Sequence, residues 1–137
     1  MMTSTSIHNH QLPSTIDSLA KVELIVEELK EAYTIPEELY GNILVSLSEA
    51  ANNAIKHGNK LNPNETFHLS FDQSQSEYIF TVVDKGEGFD FENIPDPTHP
   101  DNLEKPDGRG IFIMRNLADE VEFNNKGKEV RIKFKRA

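Results

Sequence analysis

The chain contains no cysteine. That one absence excludes a disulfide framework, a thiolate zinc site and a cysteine nucleophile. No apolar run approaches the ~18 residues of a membrane-crossing helix, so no span is expected. Residues Met1 to Gln11 are polar and lack the apolar stretch of a secretory signal. The expected compartment is the cytoplasm. Positive charge is scarce: 14 Lys and Arg stand against 23 Asp and Glu, a net charge of −9. A general nucleic-acid surface is disfavoured, because backbone phosphates would be repelled. A polyanionic nucleotide is still compatible with this charge if Mg²⁺ and backbone N–H groups supply local positive potential. There is no internal repeat. There is also no P-loop, and no parallel strand-helix-strand unit surrounds the glycines as a dinucleotide fingerprint requires.

At 137 residues, 36% of them hydrophobic, the chain is long enough for one sizeable core, and a single domain over 1–137 is expected. Residues 4–11 either fray or pair as an edge strand. Pro13-Ser-Thr-Ile-Asp17 is a helix-start signal, and Leu19, Val22, Ile25, Val26 and Leu29 then recur at helical spacing to about Tyr33. Pro36 and two acids open a second helix. Its buried stripe is Ile43, Leu44, Leu47, Ala50, Ala51, Ala54 and Ile55, with Gly58 as the expected C-terminal cap. The period then changes to two. Phe67, Leu69 and Phe71 alternate with polar residues, and Tyr78 to Asp84 follows a polar turn, which predicts an antiparallel hairpin. Residues 86–107 hold four of the seven prolines, and a loop of about 20 residues in a compact domain is usually functional or disordered. Gly108 to Ala118 reads as a helix. A second hairpin, Glu120 to Asn125 and Glu129 to Lys135, turns at Asn125-Lys-Gly127. This order predicts an α/β two-layer sandwich, a mostly antiparallel mixed sheet with helices on one face.

Three separated runs carry candidate chemistry. Glu49 and Asn53 lie four residues apart on the second helix and share a face. The carboxylate could take a proton from a nucleophile or orient a water, and the carboxamide oxygen suits Mg²⁺. Taken alone, the pair is equally at home on a solvated helix face. Asp84-Lys-Gly86-Glu-Gly88 leaves a strand for a glycine turn. An acid there can accept from an exocyclic amino group such as that of adenine, or belong to a plain turn. Gly108-Arg109-Gly110 precedes the third helix, whose N-terminal N–H groups would suit phosphate. Arg109 either adds charge or is a surface residue. His57 reads as a helix-end capping or packing residue. Arg115 and the closing basic residues from Lys126 to Arg136 read as a solvated strand face.

In order and spacing these runs are more specific. Ser48-Glu49-Ala-Ala-Asn-Asn53-Ala-Ile-Lys-His57-Gly resembles the N box of the GHKL ATP-binding superfamily. Asp84-Lys-Gly86-Glu-Gly88-Phe89-Asp90 resembles its first glycine box, and Gly108-Arg-Gly110-Ile-Phe-Ile-Met114 its second. The resemblance covers nearly the whole chain, about 12–135. It is nearest to the anti-sigma-factor serine/threonine kinases, particularly from Pro95 to Val121.

The resemblance implies a GHKL fold and the following roles. Glu49 would be the general base toward a Ser or Thr hydroxyl, and Asn53 would hold Mg²⁺, with Asn52 as a helper. Asp84 would contact the adenine amino group. Gly86 and Gly88 would shape the adenine pocket, Gly108, Arg109 and Gly110 would lie at the phosphates, and residues 89–107 would be the ATP lid. The cofactors would be ATP and Mg²⁺. The partners would be a small anti-sigma-factor antagonist and a sigma factor, with neither nucleic acid nor membrane bound directly. The family commonly dimerises through its sheet or N-terminal strand, so residues 4–11 are a candidate homodimer contact. One departure stands out. Family members often carry Thr after the glycine of the last hairpin, where this chain has Gly127-Lys-Glu129. Thr81 or water would have to cover that loss. Lys85, Lys105 and Arg109 are the candidate cations for the γ-phosphate. A nucleotide-gated binding module without phosphotransfer is the competing reading.

Overall fold

A computed structural model describes residues 8–85 and 106–136. The sequence-predicted sites Gly86, Gly88 and Lys105, with residues 89–105 of the expected lid, lie outside the described residues. The elements in chain order are β1 (His8–Pro13), α1 (Ser18–Tyr33), α2 (Glu37–Asn53), a π turn (Ala54–Gly58), β2 (Thr66–Gln73), β3 (Glu77–Val83), α3 (Pro106–Leu117), β4 (Glu120–Asn124) and β5 (Glu129–Lys135).

The five strands form one sheet in the order β1-β2-β3-β5-β4. Every pairing among them is antiparallel, so the mixed sheet expected from the sequence has no parallel pair among the described residues. Strands β3 and β4 both run antiparallel to β5, hence parallel to each other with β5 between them. The connection that carries α3 is therefore a crossover over one strand. Both predicted hairpins form, β2-β3 and β4-β5. The second turns through Asn125 (φ 53°) and Gly127 (φ 88°), residue types that tolerate the left-handed region.

Side chains alternate across each strand. The inward set comprises Leu12 of β1, Phe67, Leu69 and Phe71 of β2, Tyr78, Phe80 and Val82 of β3, and Val130, Ile132 and Phe134 of β5. These pack against the apolar stripes of α1 (Val22, Ile25, Val26, Leu29) and α2 (Ile43, Leu47, Ala50, Ala51), which the helical period marked out. The rings of Phe71, Phe80 and Phe134 form a chain through the centre, with centroids 5.1 and 6.1 Å apart. At the α1–α2 corner, Thr34 takes a left-handed φ of 52° and the Ile35 N–H returns to the Lys30 carbonyl. Lys30 Nζ then reaches Glu37 Oε1 at 3.0 Å across the corner.

The opposite face of the sheet is polar. There Lys133 lies 3.4 Å from Glu120 and 3.8 Å from Glu122, while Arg131 is paired in register with Glu122. Arg115 does not join that face. It sits on α3 with its guanidinium 5.5 Å from the Phe123 ring centroid, because α3 runs over the inner side. Asp72 also lies in this polar layer; desolvation by its neighbours raises its carboxyl above the ordinary value of 3.8, opposed in part by Arg131.

Phe80 is fully buried, so Phe80→Ala is expected to cost about 3–5 kcal/mol in urea unfolding, with the slope unchanged. The raised Asp72 value means that the folded chain holds this proton more tightly than the unfolded one. Its contribution is therefore full below about pH 3.8 and lost as pH rises through the folded value. Asp72→Asn should accordingly raise the melting temperature at pH 7 and leave it nearly unchanged at pH 3.5. A lower melting temperature at pH 7 would show that Arg131 outweighs desolvation.

Candidate functional site

Helix α2 supplies the first half of the site. Ala50, Ala51 and Ala54 are buried and small, which lets α3 approach closely. At the contact stands Gly110, itself buried. A Cβ on Gly110 would lie 2.8 Å from Glu49 Oε1 and 3.7 Å from Asn53 Oδ1. Residues from two of the candidate runs thus meet at one point, with both oxygens beside the α3 backbone. The third run reaches the same region from the other side.

After Asn53 the helix widens into the π turn Ala54–Gly58, closed by the Asn59 N–H on the Ala54 carbonyl at 2.8 Å. Such single wide turns often mark functional segments. Gly58 is not the left-handed cap expected from the sequence. Lys60 and Leu61 take those angles instead (φ 53° and 58°), held by the Leu61 N–H on the Ile55 carbonyl at 2.7 Å. Gly58 serves a different need: a Cβ there would overlap the Asp84 carboxylate. Asp84 itself leaves β3 with its N–H on the Lys128 carbonyl at 2.9 Å, which ties it to the β4-β5 hairpin.

Between these two halves lies a small open pocket. Its polar lining comes from Asn53, His57, Asp84 and Lys128. The apolar walls include Ala54, Val82, Met114, Phe123 and Val130. An apolar slot with one carboxylate at its wall suits a flat heteroaromatic base that offers an amino group. The apolar wall residues were not singled out as site residues from the sequence. Their only signal is the inward parity of their strands and helices, which is the same signal as core. His57, read as a helix-end residue, lies on the pocket rim and is exposed.

Two sequence expectations change. Thr81 cannot replace the absent threonine at this pocket. It alternates with the inward Val82 and pairs with Ser70 and Arg131 on the polar face. Gly108-Arg109-Gly110 does not precede α3 but lies within it, because Pro106 starts the helix two residues before Gly108; proline's fixed φ suits a first helical position. Gly108 is therefore in the first turn, where N–H groups lack intrahelical partners. Arg109 and Lys85 are exposed.

Comparison with known proteins bears on the family and the fold. The family described as "Histidine kinase-like ATPase domain" matches residues 12–134. A serine-protein kinase RsbW of Oceanobacillus iheyensis is 31% identical over 91 residues, covering 62% of this chain and 58% of the relative. The serine-protein kinase RsbW of Bacillus subtilis is 28% identical over 90 residues, covering 61% and 56%. Each match thus spans a little over half of the relative's length. A crystal structure of the RsbU and RsbW domains of Rv1364c from Mycobacterium tuberculosis aligns with TM-score 0.60. It covers 94% of this chain and 32% of that one at 14% identity, a likeness of fold.

Gly58→Ala should force the α2 end and the β3 end apart. The expected cost is about 1–3 kcal/mol in chemical unfolding, together with weakened binding of any ligand held by Asp84. Unchanged stability would mean that the Asp84 side chain simply turns away.

Proposed function

Because the chain belongs to the histidine kinase-like ATPase domain family, we propose that it is an ATP- and Mg²⁺-dependent serine/threonine protein kinase acting as an anti-sigma-factor regulator. The observation that supports this is the close approach of Gly110 to Glu49 and Asn53, of which Asn53 also lines the pocket. In this reading Asp84 accepts from the adenine amino group, while the apolar walls hold the ring and exclude water from it. Gly86 and Gly88, outside the described residues, have the proposed role of shaping the adenine pocket. Gly108 and Gly110 let the α3 backbone lie against the phosphates, with Arg109 beside them.

The donor set fits a hard divalent ion. Glu49 and Asn53 offer oxygens on one side of α2, and no group of three or more His, Cys, Asp or Glu side chains is placed to hold a metal among the described residues. Asn53 Oδ1 would be the protein group that holds Mg²⁺, an ion that commonly takes few protein ligands. When bound, it neutralises charge on the phosphates. The work of the chain's own groups is positioning and proton transfer. Glu49 takes the proton of a substrate Ser or Thr hydroxyl, whose oxygen forms the new bond to the γ-phosphorus as the bond to the ADP oxygen breaks.

The substrate proposed is a small antagonist protein carrying a Ser or Thr acceptor, and a sigma factor is the second proposed partner. The RsbW names of the relatives support this reading. Lys128 at the pocket, with Thr81 on the far face, favours one other reading, a nucleotide-gated binding module without transfer.

Glu49→Ala should reduce phosphorylation of a cognate antagonist from labelled ATP by about 100-fold or more while nucleotide affinity stays within a few-fold. Wild-type protein that binds ATP yet forms no phosphoserine or phosphothreonine on that antagonist would support the binding module instead.

A further inference from the structure

Asn59 is one of four buried polar residues among those described, and it belongs to none of the three runs. Its carboxamide is almost fully used. Nδ2 donates to Ser14 Oγ at 2.8 Å and to the Thr66 carbonyl at 3.0 Å, and Oδ1 accepts from the Lys85 N–H at 3.1 Å. The Asn59 N–H closes the π turn on the Ala54 carbonyl. One residue therefore joins four places, three through its side chain and one through its backbone N–H: the exit of β1, the entry of β2, the residue directly after Asp84 and the end of the α2 segment. Ser14, fully buried, is itself secured by its N–H on the Glu65 carbonyl at 3.0 Å.

Asp84 is consequently bracketed on both sides. Its own N–H is held by the Lys128 carbonyl, and the next N–H by Asn59. Its carboxylate rests against Gly58, the residue preceding Asn59. The Oδ1 contact is one of two backbone ties that flank the Asp84 side chain, and removing it loosens the position of the carboxylate at the pocket wall.

We infer that Asn59 is a positioning residue for base recognition: it fixes the strand end that presents Asp84, and so sets the preference for an adenine over a guanine nucleotide. This rests on the reading of Asp84 as the acceptor for the adenine amino group. Guanine presents a carbonyl oxygen where adenine presents that amino group, so a well-placed carboxylate rejects it by repulsion as well as by a lost hydrogen bond. A loosely placed one rejects it weakly.

The test measures dissociation constants for ADP and GDP with Mg²⁺, by calorimetry on the full chain, alongside the thermal midpoint. Asn59→Ser and Asp84→Asn should each cut the ADP-over-GDP preference on the order of tenfold. Ser14→Ala removes another arm of the same network. It should lower the midpoint but keep the wild-type preference. If Asn59→Ser keeps the preference while Asp84→Asn loses it, Asn59 only stabilises the fold and the inference is overturned. If Asp84→Asn also keeps it, the reading of Asp84 fails and the inference falls with it. Should Asn59→Ser not fold, hydrogen exchange at the Lys85 amide of the wild-type chain reads the same tie. Protection like that of β3 supports it, and exchange at the rate of an open loop overturns it.

Discussion

Everything in this molecule converges on the close packing of α2. One side of the helix rests on the sheet through Ile43 and Leu47, and α3 presses against another. Ala50, Ala51 and Ala54 make this double contact tolerable, being 2%, 1% and 3% exposed and carrying no bulk beyond Cβ. Gly110 answers them from α3. Close-packed interiors do not absorb an added methylene without displacement. The spacing between the two helices is thus set by residues with almost no side chain, and Glu49 and Asn53 stand at the edge of that seam.

The same economy operates at the other end of the helix. The strand end bearing Asp84 and the helix end bearing Gly58 can be neighbours only if one of them lacks a side chain. The wide turn delivers a glycine there and carries Asn59 into the interior, where its carboxamide ties together the chain ends around it. A buried amide without these partners would cost stability instead. The pocket is therefore bounded by two backbone-level approaches, one at each end of the same helical segment. An apolar slot lies between them.

The net charge of −9 makes this arrangement more demanding. A polyanion approaching an acidic surface is repelled at long range, so binding has to come from short-range features. Helix-terminal N–H groups and an apolar slot are such features. The polar sheet face illustrates how the chain manages charge elsewhere: Lys133 is set between two glutamates, and the charge of Arg131 partly offsets the desolvation of Asp72.

Periodicity made α1, α2, both hairpins and their inward residues legible, since period 3.6 and period 2 follow directly from backbone geometry. The spacing of Glu49 and Asn53 was legible for the same reason. Local signals were silent about long-range partners. They did not mark the apolar pocket walls as anything but core, nor show that Pro106 starts α3 before the glycines. They assigned Gly58 to a cap because a glycine after a helix usually is one. The sequence alone determined which residue types were on hand and which side of each element they occupy, because those depend on neighbours a few positions away. Only the tertiary structure decided that Gly110 meets Glu49, that Gly58 meets Asp84 and that Asn59 binds the end of β3. Those contacts depend on how closely distant segments approach, and that distance is set by the packing of the whole core.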